Sequence, residues 1–352
     1  MGSQQRPNSP DLDHVNSDLR LVAIGGGTGL STLLKGLKRY VLTPALAASG
    51  QTAIRELSGV VTVSDDGGSS GRLRKEFNML PPGDVRNCIV ALSEDEALLS
   101  RLFQHRFQKG SGLEGHSFGN LFLAALTSIT GDFAEAVRLS SEILLTRGHI
   151  YPATTSNVEL EAEFEDGSRV RGETRITASK GKIRELFLVP PDVKPLRQTL
   201  EAISSADLIT IGPGSLFTSL IPNLLVDGIV RAIMESHAVK IYVCNLMTQA
   251  NESLGLTAAD HIRALNRHAH AQLFDYALIN QRPASAEMKA KYALEGASQI
   301  VVDLEAIESL GVCPVLGDYL DEGDVARHAT ERVAHDLMAL MAQAPARHAS
   351  TR

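Results

Sequence analysis

Tryptophan is absent from the 352 residues, aromatic side chains of every kind make up 5%, and only three cysteines occur. So few rings leave little for a flat ligand to stack on. Cys88, Cys244 and Cys313 follow no metal-ligand spacing. That excludes a zinc ribbon or a disulfide framework and fits buried free thiols in a reducing cytoplasm, the expected location. No apolar run approaches the roughly 18 residues of a membrane span, and the polar start carries no secretory signal. Lysine and arginine form no block and the formal charge is −7, which argues against a general nucleic-acid binder.

The apolar share of 43% and the charged share of 21% are ordinary for a soluble globular protein. Residues 1–18 read as a disordered lead, 19–342 as one α/β domain and 343–352 as a disordered tail.

The stretch 19–37, LRLVAIGGGTGLSTLLKGL, organises this domain. A short β-branched run breaks into Gly25-Gly26-Gly27-Thr28-Gly29, and leucines then recur at 30, 33, 34 and 37 on one helical face. Strand, glycine turn and helix place backbone N–H groups where they can collect a phosphate, although such a turn can also be a mere tight connection. The pattern repeats. Residues 60–63 run into Asp65-Asp66-Gly67-Gly68, residues 207–211 into Gly212-Pro213-Gly214-Ser215, and residues 241–244 into Asn245. Parallel strands present such loops on one edge, where ligands bind.

Further strands are expected near 275–279 and 299–302, with helices near 226–236, 258–269 and 285–294 and a closing helix over 324–341. The fold class is therefore α/β, a parallel sheet with helices on both faces. From Val158 the period changes to two, which predicts a small antiparallel insertion over about 157–190. A three-residue loop, Glu165-Asp166-Gly167, pairs Glu163 with Arg169 and Glu161 with Arg171, and the return strand continues through Ile176. Lys182 to Val189 adds a third strand. This patch reads as a flank, away from the chemistry.

Asp65 and Asp66 could meet a ribose, hold Mg²⁺ beside a diphosphate, or make an Asx turn with Asp66 as a helix cap. Mg²⁺ is the one cofactor suggested, and none is firmly indicated. Asp84 reads as the N-cap of a helix through Leu92. Arg86 and Asn87 follow it, an arginine being suited to phosphate oxygens. His116 and Asn120 sit in another glycine-rich turn, where His116 serves ligand contact or loop structure; GHSFG is not a nucleophile elbow.

Taken together, GGGTGL, VTVSDDGGSSGRLR, PPGDVRNCIVALS, GHSFGNLFLAALTSITGDF, ADLITIGPGSLFTSLIPNLLV and YVCNLMTQ resemble the YvcK-like gluconeogenesis factors of the CofD superfamily. The resemblance implies a Rossmann-like CofD fold that holds UDP-N-acetylglucosamine across the carboxyl ends of the strands. It further implies a regulator of cell-wall precursor metabolism and cell shape on gluconeogenic carbon, working with partner proteins. A tyrosine and an arginine hold the uridine in that family, and they map to Tyr292 in KYALEGA and to Arg327 in ARHAT. Two stretches depart from the pattern: residues 247–253 lack a proline-glycine turn, and Ala329 replaces an aspartate. A homo-oligomer is expected. The alternative is a Mg²⁺-dependent CofD-like transferase, whose flat deazaflavin acceptor is poorly served by so few aromatics. A dehydrogenase ranks third, because the G-x-G-x-x-G fingerprint is missing.

Overall fold

A computed structural model describes residues 19–49, 51–94 and 97–343. The lead and tail expected over residues 1–18 and 344–352 lie outside this span; Gln343, expected in the tail, ends the last helix.

Seven strands make one parallel sheet: β1 (Leu19–Gly25), β2 (Ile54–Val61), β3 (His149–Pro152), β7 (Leu208–Ile211), β8 (Val239–Val243), β9 (Tyr276–Asn280) and β10 (Cys313–Gly317). Their spatial order is β10-β9-β8-β7-β1-β2-β3. The central strands are near-continuous apolar runs; Val22 to Ile24 and Leu208 to Ile211 are buried, as expected of a sheet covered on both faces. Helices Gly27–Leu37, Gly83–Leu92 and Thr330–Gln343 form one covering layer, while Arg197–Ser205, Ile229–Glu235 and Ala258–Ala269 belong to the other.

This order fixes the site. The chain moves outward from β1 through β2 to β3 in one direction, and from β7 through β8 and β9 to β10 in the other. β1 and β7 pair directly, Leu21 with Leu208 and Ile24 with Ile211. Their connections therefore diverge at a switch point, and a crevice opens beyond their carboxyl ends.

The antiparallel insertion is present as β4 (Glu159–Phe164), β5 (Arg169–Arg171) and β6 (Ile183–Val189), in the order β5-β4-β6. Glu163 pairs with Arg169 and Glu161 with Arg171, and Gly167 has φ +83°, as the three-residue loop requires.

Five expectations need correction. The return strand stops at Arg171, because Gly172 turns at φ +98° and the Asp66 carboxylate takes both the Thr174 N–H (2.9 Å) and its hydroxyl (2.5 Å). That capture starts helix Glu173–Ala178, which contains Thr174 and Ile176. Residues 299–302 are no strand: Ile300 donates to the Leu246 carbonyl and Val301 accepts from Ala258, so the segment runs along the loop after β8. The sheet is completed instead by β10 and by the edge strand β3, neither of which was anticipated. β2 begins at Ile54, six residues before the expected run. The closing helix starts at Thr330 and not at 324; the residues before it form a hairpin of β11 (Leu320–Glu322) and β12 (Ala326–His328).

Candidate functional site

The crevice is a cleft of about 630 Å³, within the size range of small-ligand sites. Its floor is the glycine loop. Gly26 is the extended N-cap of helix Gly27–Leu37 and carries no side chain to cap it. The first-turn N–H groups of a helix have no partner within it. The N–H of Gly27 goes to Asp84 Oδ2 at 2.6 Å. Those of Thr28 and Gly29 remain to meet an anion from the cleft that both residues line. Asp84 is therefore not the cap expected of it: Pro82 takes the N-cap position of helix Gly83–Leu92, and Asp84 ties that helix to the glycine loop. Burial, reinforced by Asp65, pushes its carboxyl up to about 6.

The second wall comes from the loop after β7. Pro213, Gly214 and Ser215 line the cleft, and Asn245 at the end of β8 holds Gly214 with its amide, Nδ2 donating to the carbonyl at 2.8 Å. Gln249 Nε2 reaches Ser215 Oγ at 2.8 Å, leaving Gln249 Oε1 buried without a partner. Glu252 accepts from the backbone N–H groups of Phe217 (2.8 Å) and Thr218 (3.0 Å). This carboxylate occupies the start of the helical segment after the loop, a place equally suited to a phosphate. Burial raises its pKa.

The third wall holds Tyr292, Glu295, Ala297, Ala326 and His328. Tyr292 Oη accepts from the Ala326 N–H at 3.2 Å. His328 Nε2 lies 2.9 Å from the Cys244 carbonyl, and burial pushes the imidazole pKa down to about 4. Helix Glu173–Ala178 closes the mouth with Glu173 and Thr177, so the insertion is part of the site and not a remote flank. Glu173 is pushed up by burial and by Asp65, Asp84, Asp66 and Glu252. The charged residues lining the cleft are Glu173, Glu252 and Glu295, with no lysine or arginine among them.

The structure brings together Gly26, Gly27, Thr28 and Gly29 with Pro213, Gly214, Ser215, Asn245 and Tyr292. Two expected residues lie just behind: Gly25, whose carbonyl accepts from Asn223 Nδ2 at 3.1 Å, and Gly212, at φ +88° against the Val243 carbonyl. The others form a neighbouring polar cluster. Asp65 accepts from the Gly67 N–H at 2.8 Å, an Asx turn just before Gly68 opens helix Gly68–Phe77. Asp66 caps a helix, but it is the helix of the insertion. His116 Nδ1 and Asn120 Nδ2 both meet Ser69 Oγ, at 2.9 and 3.0 Å. Arg86 bonds Ser117 Oγ and Asn87 Oδ1, leaving its Nε buried and unpaired. Arg327 is exposed on β12 between the two lining residues Ala326 and His328, and strand alternation directs it to the opposite face.

Glu173, Glu252, Glu295 and His328 were not singled out from the sequence. For His328, the proximity to Arg327 was the available signal. For a metal, Asp84 beside the glycine loop and Asp65, whose charge helps raise the pKa of Asp84, are the available carboxylates, while Asp66 is committed to Thr174. Two carboxylates suit Mg²⁺ when a ligand supplies further oxygens. Among the described residues, no group of three or more His, Cys, Asp or Glu is poised around a common point.

The family described as 2-phospho-L-lactate transferase CofD matches residues 21–320. The gluconeogenesis factor of Halalkalibacterium halodurans is 49% identical over 320 residues, covering 90% of this chain and 95% of that protein. The gluconeogenesis factor of Bacillus subtilis is 46% identical over 324 residues, covering 92% and 98%. A crystal structure of a Bacillus halodurans protein superposes with a TM-score of 0.86 at 48% identity, covering 91% of this chain and 99% of that one. A parallel sheet with a glycine loop at its switch point, together with likeness on this scale across nearly the whole described chain, places the protein in the CofD family, among the gluconeogenesis factors.

Proposed function

We propose that this chain is a nucleotide-sugar-binding regulatory protein. Its ligand is UDP-N-acetylglucosamine, and it links gluconeogenic carbon metabolism to cell-wall precursor synthesis and cell shape, acting in the cytoplasm through partner proteins. The observation that carries this reading is the cleft itself: it is lined both by the free N–H groups of Thr28 and Gly29 at a helix N-terminus and by the ring of Tyr292. The helix start suits the diphosphate and the ring suits the base. Asn245 and Gln249 also line the cleft, and the unpartnered Gln249 Oε1 is an acceptor suited to a sugar hydroxyl. The name gluconeogenesis factor, carried by relatives across nearly their whole length, supports a role in gluconeogenic carbon metabolism.

A second reading, a Mg²⁺-dependent transferase, rests on Asp65 and Asp84 beside the glycine loop. Mg²⁺ held there would neutralise phosphate oxygens of a bound nucleotide. Equilibrium dialysis of the full chain against radiolabelled UDP-N-acetylglucosamine with Mg²⁺, followed by chromatography of the recovered ligand, separates the two. A regulator retains the ligand and returns it intact. Conversion of the label in the presence of candidate acceptors would favour the transferase, and no retention would overturn both.

A further inference from the structure

We propose that His328 is the residue by which the cleft distinguishes uracil from cytosine, its Nδ1 accepting a hydrogen bond from the N3–H of the base. The inference rests on the nucleotide-sugar reading and adds to it a specificity-determining residue.

His328 ends the short strand β12. Strand alternation sends Ala326 and His328 to the cleft side and Arg327 to the other. His328 Nε2 lies 2.9 Å from the Cys244 carbonyl. A backbone carbonyl only accepts, so Nε2 must carry the hydrogen. Nothing near the ring favours the imidazolium beyond this one carbonyl, and burial disfavours it strongly. The ring is therefore neutral, with its proton fixed on Nε2, and Nδ1 is a bare acceptor. Among the described residues none donates to Nδ1, and Nδ1 is not one of the polar atoms sealed off inside the structure. It is open to the cleft that His328 lines.

What stands beside it gives the acceptor its meaning. Among the described residues, Tyr292 is the one phenylalanine, tyrosine or tryptophan lining the cleft. Its hydroxyl accepts from the N–H of Ala326, two residues before His328 on the same face of β12. A stacking ring and a fixed acceptor thus stand close together in the lining of the cleft. Uracil presents a donor at N3 where cytosine presents a lone pair. Cytosine would set two acceptors against each other and leave Nδ1 unsatisfied, a mismatch that built polar sites reject strongly. His328 cannot relieve it by turning over, because Cys244 holds the other nitrogen.

The test titrates the full chain with UDP, CDP and N3-methyl-UDP. In the wild type, UDP should bind about ten- to a hundredfold tighter than either of the others. In His328→Phe, which keeps a ring and removes the acceptor, UDP should fall to the level of the other two and the ratios should approach one. A purely structural role would weaken all three ligands alike and keep the ratios; that result overturns the proposal, as does a wild type that binds UDP and N3-methyl-UDP equally. Failure of all three to bind would strike instead at the nucleotide reading beneath it. Should His328→Phe not fold, the ¹⁵N spectrum of the wild type decides. The Nε2–H tautomer is expected, with the Nδ1 resonance moving on addition of UDP and not of CDP; the other tautomer, or an Nδ1 indifferent to UDP, overturns the proposal.

Discussion

Gly29 packs so tightly against Pro213 that a Cβ on Gly29 would lie 2.3 Å from the Pro213 carbonyl oxygen and 2.7 Å from its carbon. Gly29 lies in the first turn of the helix after β1 and Pro213 in the loop after β7, so the contact is where the two halves of the sheet close on each other. Gly29 is needed here for close approach; at Gly27 the issue is conformation, since φ is +60° and the nearest atoms to a Cβ are 3.9 Å away. Gly29→Ala should therefore cost about 1–3 kcal/mol by overpacking against backbone that cannot yield, and it should part the loops that form the cleft. Gly27→Ala should cost about 1 kcal/mol from its positive φ. Urea denaturation of both variants checks the ranking, and a Gly29→Ala as stable as Gly27→Ala would contradict it.

Asp84 gives a pH-dependent stability. Its folded pKa of about 6 lies above the ordinary carboxyl value of 3.8. The native state thus binds this proton more tightly than the unfolded one, and the stabilisation present below pH 4 is lost as the pH rises through 6. Asp84→Asn keeps an acceptor for the Gly27 N–H and removes the charge. The variant should exceed the wild type by roughly 2–3 kcal/mol at pH 8 and match it at pH 4. Thermal melts across that range check this, and a variant less stable at pH 8 contradicts it.

The cleft should bind an anionic nucleotide more weakly as the pH rises. Glu173 and Glu252 both have raised pKa values, and a diphosphate nearby raises them further, so binding takes up protons. Calorimetry in two buffers of different ionisation enthalpy measures that uptake. Glu252→Gln should tighten UDP-N-acetylglucosamine binding about fivefold at pH 8 and reduce the proton uptake. Weaker binding would show that the carboxylate serves only to hold Phe217 and Thr218.

Arg327 is exposed, joins no ion pair among the described residues, and flanks a cleft whose lining carries carboxylates and no lysine or arginine. β12 starts this side chain on the face away from the cleft, but its long flexible stem, exposed at the rim, lets the guanidinium fold around the strand edge toward a bound phosphate or uracil carbonyl. Arg327→Ala should lower affinity for UDP-N-acetylglucosamine about ten- to a hundredfold, the loss of one charge-assisted hydrogen bond, with the melting temperature unchanged. Titration and melting of the same preparation check both halves.

Local chemistry made the glycine loop and the Gly212–Ser215 loop readable, because strand, glycine and helix signals lie side by side in the chain. The hairpin of the insertion was readable to the residue, since Glu163 and Arg169 fix its register. Glu252 and Glu173 were not. Their place at the cleft follows from backbone N–H groups of Phe217 and Thr218 and from the capture of Thr174 by Asp66, partners 34 to 108 residues away in sequence. β3 was missed because four residues at a sheet edge carry too little pattern. The apolar run at 299–302 misled because it packs along a loop with the composition of a strand. His328 stayed hidden behind Arg327, since only the pairing of β11 with β12 reveals which of the two lines the cleft.

The most direct measurement is calorimetric titration of the full chain with UDP-N-acetylglucosamine, UDP-glucose, NAD and GTP, with and without Mg²⁺. A nucleotide-sugar cleft should bind UDP-N-acetylglucosamine with a dissociation constant on the order of micromolar, about −8 kcal/mol, and bind NAD and GTP at least tenfold more weakly. Equal affinity for NAD or GTP, or no heat with UDP-N-acetylglucosamine under either condition, would contradict it.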